Sequence, residues 1–187
     1  VGWHLKTIAG KKRVILELGG NAPAIVHSDA DTETALQKLV NAAFAASGQV
    51  CIKAQRLMIH EKIYQRFTER FVEDTRALKV GDPTDPATVV GPLIDSASAD
   101  RIMQWLDEAV QSGARVLCGN HRDGNVVSPT VLENTPRHVK CYTEEIFGPV
   151  VTVESYSDLQ EAIDRANVTA YGLQAAIFTQ DLRVMDA

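Results

Sequence analysis

Short apolar runs alternate along this chain with longer stretches of helical period, and few folds accept that alternation. Apolar residues recurring every three or four positions mark one buried helix face, whereas a short unbroken apolar run marks a strand covered on both sides. Strands are expected at Val14-Ile15-Leu16-Glu17-Leu18, at Ala24-Ile25-Val26-His27, and at 56–60, 115–118, 126–132, 150–156 and 174–178. Helices are expected at 2–9, 32–46, 62–78 and 96–112, after Asp158, and as a helix only begun at Asp181. Crossovers of that length join parallel neighbours. The expected class is therefore an α/β fold with a mainly parallel, open twisted sheet flanked by helices.

Local signals sharpen several of these boundaries. Asp29, Asp31 and Thr32 offer N-caps for the helix that follows, whose buried face would be Ala35, Leu36, Leu39, Val40, Ala43 and Phe44. Ser47-Gly48 supplies its stop, because glycine takes a left-handed cap without steric cost. Asn21-Ala22-Pro23 reads as a turn, and 81–92 as the longest loop. The helix at 96–112 would bury Ile102, Leu106, Ala109 and Val110.

A chain of 187 residues holds one main domain, and 45% hydrophobic with 23% charged residues is ordinary for a globular protein. The formal net charge is only -5, and lysines and arginines are scattered among acids, so no nucleic-acid partner is expected. No stretch approaches the roughly 18 apolar residues of a membrane span, and no charged segment leads into an apolar leader, so no membrane partner is expected. Cys51, Cys118 and Cys141 are too few and of the wrong parity for a disulfide framework, which points to a reducing, cytoplasmic compartment. The five histidines lack metal-ligand spacing and no phosphate-cradling glycine loop is present, so no metal is expected.

Three stretches carry chemistry: Glu17 to Gly20, Ser47 to Cys51, and Glu144 to Pro149. Cys118 lies in an apolar strand and reads as a small hydrophobe, and Cys141 sits in a polar loop without a patterned partner. Cys51 differs, because Gly48 and a loop position let a ligand approach sulfur and backbone together. An unperturbed thiol titrates near about 8.5, and a helix C-terminus aimed at Cys51 would disfavour the anion further. A neighbouring base must compensate. Glu17, at a strand end before two glycines, is the best carboxylate, since α/β folds place reactive groups at strand ends. Its alternative is an outward-facing acid.

The runs Leu16-Glu17-Leu18-Gly19-Gly20-Asn21-Ala22-Pro23, Gly48-Gln49-Val50-Cys51 and Glu144-Glu145-Ile146-Phe147-Gly148-Pro149 resemble the NAD(P)-dependent aldehyde dehydrogenase superfamily. Glu17 and Cys51 stand 34 positions apart, 51 minus 17, as in that family. Val80-Gly81-Asp82-Pro83, Gly91-Pro92-Leu93, Pro129-Thr130 and Tyr171-Gly172-Leu173 follow in family order, so the resemblance covers nearly the whole chain. It implies a Cys51 nucleophile that forms a thiohemiacetal and then a thioester, with Glu17 activating the hydrolytic water and the Cys51 N–H completing half of an oxyanion hole. It implies contacts to NAD or NADP from Glu145, Phe147 and Leu18, with Glu145 on the nicotinamide ribose and Phe147 beside the nicotinamide. By the same resemblance 1–18 is the tail of a cofactor-binding domain, 19–187 is catalytic domain, and the full protein is a homodimer or homotetramer acting on a small aldehyde. Lys53 and Gln55 depart from the family pattern and bear on substrate preference. Two other readings stay open: a cofactor-independent thiol esterase or acyltransferase, and a non-catalytic module of the same fold.

Overall fold

The computed structural model describes residues 1–186. Helix α1 (Gly2–Ile8) is followed by β1 (Ala22–Val26), α2 (Thr32–Phe44), β2 (Ala54–His60), α3 (Glu61–Arg76) and α4 (Ser96–Gln111). Then come β3 (Arg115–Cys118), the small hairpin of β4 (Arg122–Asp123) and β5 (Val126–Val127), β6 (Thr130–Glu133) and α5 (Lys140–Thr143). The chain continues through β7 (Val150–Tyr156), α6 (Leu159–Asn167), β8 (Ala176–Phe178) and α7 (Leu182–Met185). Six strands form one sheet in the order β3-β6-β7-β2-β1-β8. All its pairings are parallel except β3 with β6, which bears out the expected class.

Helical period located α2 well. The Asp31 carboxylate accepts from the Thr34 N–H at the N-terminus, and the six apolar residues assigned to its inner face are all buried. With Phe67 and Phe71 of α3 they cover one face of β1, β2 and β7 through Val26, Leu57, Ile59 and Val151. Each large side chain so buried contributes about 1.5–3 kcal/mol. Helices α4 and α5 pack against Leu132 and Val150, and α6 sets Ala162 against Ile25, Met58 and Tyr156. At the carboxyl ends of β1, β2 and β7 the rings of His27, His60 and Tyr156 pack on one another, with His27 Nδ1 and the Tyr156 hydroxyl 2.9 Å apart.

Several expectations are corrected. The segment 14–18 is not a buried strand: it is irregular, with Ile15 88% and Leu18 41% exposed. Strand β1 already pairs with β2 on one side and β8 on the other, so neither side of β1 is left for it. Ala22 and Pro23 belong to β1 rather than to a turn, and the register slips between them, where proline withholds its donor at a strand start. The apolar run at 126–132 is two strands, broken at Ser128-Pro129. Val110 is 41% exposed, and Cys141 lies not in a polar loop but in α5, 1% exposed.

Candidate active site

The three chemical stretches lie on loops that lead into strands: 13–21 into β1, 48–53 into β2 and 144–149 into β7. The sheet sets those strands side by side in the order β7-β2-β1. The loops therefore meet at the amino ends of the parallel strands. This corrects the expectation that Glu17 ends a strand; α/β sheets more often place ligands at the carboxyl ends, which here are filled by the packed histidine and tyrosine rings.

Helix α2 stops at Phe44, seven residues before Cys51 (51 minus 44), rather than running on toward the thiol. Ala46, Ser47 and Gly48 then adopt left-handed backbone, with φ of 52°, 59° and 67°. Such backbone costs roughly 1–2 kcal/mol per non-glycine residue. Ser47 offsets part of that cost, because its Oγ accepts from the Gly91 N–H at 2.9 Å and donates to the Gly91 carbonyl at 3.2 Å. Gly48 has no alternative: a Cβ there would overlap the Gly148 carbonyl oxygen.

Glycines also bring the other two stretches into contact. A Cβ on Gly20 would overlap the Cys51 carbonyl oxygen, and one on Gly19 would overlap the Glu145 carboxylate. Glu145 Oε1 accepts from the Gly20 N–H at 2.9 Å. Phe147 carries a left-handed φ of 50° and is 40% exposed. Leu18 is 41% exposed, and its side chain lies against Gly2 of α1.

The Cys51 thiol is raised above its ordinary pKa, first by a hydrogen bond with Glu17, then by burial and by the Glu17 charge. The two side chains are therefore neighbours. The N–H groups of Cys51 and Ile52 act in the opposite sense, favouring the thiolate. Burial pushes Cys118 up and Cys141 up to about 12; both are buried whereas Cys51 is half-buried, so Cys51 is the thiol a reagent can reach. Since the Glu17 charge opposes the thiolate, Glu17→Gln is expected to move the inflection of the Cys51 alkylation rate to lower pH and to speed alkylation at pH 7.5. Iodoacetamide labelling followed by mass spectrometry measures this directly. An unmoved profile would mean that Glu17 is not the group holding the proton.

Sequence reasoning missed the polar start of β2. Lys53 and Gln55 are buried, 5% and 2% exposed, with their polar ends spent on backbone groups. Gln55 Nε2 donates to the Glu144 carbonyl at 2.7 Å and its Oε1 accepts from the Ile146 N–H at 3.0 Å, pinning the 144–149 loop. Lys53 donates to the Val150 carbonyl, and burial lowers it to about 7. The available signal was the cluster Lys53, Gln55, Arg56 at the mouth of an otherwise apolar strand. Gln49, inside the cysteine motif, spends its amide on the backbone of Pro92 and Ile94.

The sequence model described as "Aldehyde dehydrogenase family" matches residues 1–187. The chain belongs to the aldehyde dehydrogenase family. It is 42% identical over 183 residues to the 3-sulfolactaldehyde dehydrogenase of Priestia aryabhattai, covering 98% of this chain and 38% of that protein. The crystal structure of aldehyde dehydrogenase 21 from Physcomitrella patens, in complex with the reaction product succinate, superposes with TM-score 0.94 at 45% identity, over 98% of this chain and 38% of that one. The glyceraldehyde-3-phosphate dehydrogenase of Methanocaldococcus jannaschii complexed with NADP gives TM-score 0.93 at 38% identity, over 99% and 41%. This aldehyde dehydrogenase chain thus spans about two fifths of each of these relatives.

Proposed function

We propose that Cys51 and Glu17 form the catalytic centre, with Glu145 holding the cofactor, of an oxidoreductase that converts a small aldehyde to a carboxylate with NAD or NADP. The observation that carries this reading is the meeting of a thiol, a carboxylate and a second, glycine-backed carboxylate at the amino ends of β7, β2 and β1. Cys51, deprotonated, attacks the aldehyde carbon, and the Cys51 N–H steadies the oxygen as its charge grows. The resulting thiohemiacetal loses hydride to become a thioester. Glu17 accepts a proton from water, which adds to the thioester carbon and expels the Cys51 thiolate, releasing the carboxylate product.

A nicotinamide nucleotide supplies the hydride acceptor when bound. The residues present fit its ribose end: Glu145 offers a carboxylate beside bare glycine backbone, with Oε1 anchored on Gly20, and such an acceptor suits sugar hydroxyls. Phe147 and Leu18, both partly exposed on the same loops, would flank it. In this reading 1–18 is the tail of a cofactor-binding domain and 19–187 belongs to the catalytic domain, the whole working as a homodimer or homotetramer. The exposed Trp3, Leu5 and Ile8 of α1, which buries no residue, support that division. Three unpaired cysteines support a reducing, cytoplasmic setting. Among the described residues no helix is long and apolar enough to cross a membrane.

The test is an aldehyde panel, including 3-sulfolactaldehyde and succinate semialdehyde, assayed with each nucleotide on the protein as its natural coding sequence expresses it. Reduction of NAD or NADP that requires both aldehyde and Cys51 is the expected result. Ester hydrolysis through Cys51 with no nucleotide reduction by any aldehyde would overturn the reading in favour of a thiol esterase.

A further inference from the structure

Arg56 is fully buried, at 0% exposure, and among the described residues no carboxylate pairs with it. A buried cation is costly unless its donors are met by oriented acceptors. Arg56 finds those acceptors on two sides. Its Nη atoms donate to the carbonyls of Arg165 and Ala166, each at 2.9 Å, at the negative end of α6. Its Nε donates to Asn21 Oδ1 at 2.7 Å, an Nη donates to the Asn21 carbonyl at 3.3 Å, and the Tyr142 ring lies 5.4 Å from the guanidinium carbon. Asn21 in turn donates from Nδ2 to the Tyr142 carbonyl at 2.9 Å and the Glu144 carbonyl at 3.3 Å.

Backbone geometry makes this reach available. Ala22 pairs with Ala54 but Pro23 pairs with Arg56, so Gln55 is an extra residue in β2. Such a bulge re-aims side chains, and both Gln55 and Arg56 engage the 141–146 segment. The Arg56–Asn21 and Asn21–Glu144 bonds thus link one motif to another: β2 after Cys51, Asn21 after Gly20, and the carbonyl of Glu144 before Glu145.

We propose that Arg56 is a positioning residue which, through Asn21, fixes Glu145 against the Gly20 amide and so sets the affinity for the nicotinamide nucleotide. This rests on the assignment of Glu145 to the nucleotide ribose. A lysine keeps the charge but cannot send donors in three directions from one plane. Arg56→Lys is therefore expected to raise the nucleotide Kd by about tenfold, as the loss of a bond to a charged group implies. Asn21→Ala, which leaves the cation and cuts the link, should do the same. In Arg56→Ala, guanidinium chloride at sub-denaturing concentration should restore affinity by filling the vacated space.

Calorimetric titration of NAD and NADP into the natural protein and the three variants, beside their melting temperatures, decides the matter. Wild-type affinity in Arg56→Lys and Asn21→Ala with lowered melting temperatures would overturn the positioning role and leave only a structural one. No nucleotide binding by the unaltered protein would instead overturn the proposed function on which the inference stands.

Discussion

Cys51→Ser is expected to lower steady aldehyde oxidation by roughly 10⁴-fold or more, because a nucleophile removed from a cooperating set is not replaced by its neighbours. A serine hydroxyl beside the Glu17 carboxylate stays protonated at neutral pH, because a carboxylate is too weak a base to hold its proton. Glu17→Gln separates the two half-reactions. It leaves the thiol free to add to the aldehyde while removing the group that draws a proton from water, so a burst of reduced nucleotide followed by slow turnover is expected in stopped-flow traces. The burst should equal about one equivalent per Cys51. Steady turnover by Cys51→Ser, or the absence of a burst in Glu17→Gln with turnover near normal, would remove these residues from their assigned roles.

Gly48→Ala carries the largest expected cost to stability, about 2–4 kcal/mol. Two penalties coincide there: a φ of 67°, and a Cβ that would meet the backbone oxygen and carbon of Gly148 rather than a flexible side chain. For a chain of this size such a loss lowers the melting temperature by roughly 5–15 °C. Gly172 is the control. A Cβ there meets nothing and its φ lies outside the left-handed region, so Gly172→Ala should change stability by less than about 1 kcal/mol in either direction. Comparing the two melting curves isolates the close approach of the loops before β2 and β7. Equal curves would show that this approach does not constrain the fold.

How much of this was legible in the sequence depended on whether a feature announces itself locally. Helix α2 did, because a 3.6-residue period and an aspartate cap are properties of neighbouring residues. The 14–18 segment misled for the same reason. Its apolar run has strand composition, but whether a strand forms there depends on a strand side left open, and the open side of β1 was taken by β8 from a position some 150 residues later, as Ala24 pairing with Ala176 shows. Lys53, Gln55 and Arg56 were invisible as a scaffold, because the bulge that aims them is a slip of register between two strands. Cys141 was misplaced because polar neighbours hid a one-turn helix pressed into the core. The candidate site itself was legible in its residue types and spacing. Its place at the amino ends of the strands was not, because the ordinary rule points to the carboxyl ends.

Construction from strand entries also fixes when the thiol acquires its surroundings. Cys51 emerges in chain order 99 residues before Val150 (150 minus 51), the first residue of the strand whose leading loop brings Glu145 to the Gly20 amide and Gly148 to Gly48. During synthesis and refolding the sulfur therefore exists for a time as an ordinary exposed thiol. It gains Glu17 as a neighbour when β1 pairs with β2, and its full surroundings only when the more distant β2–β7 pairing closes, which is the slow part of forming a parallel sheet. The vulnerability of Cys51 to oxidants is thus greatest in the immature chain, and its titration curve serves as a clock for the completion of the fold.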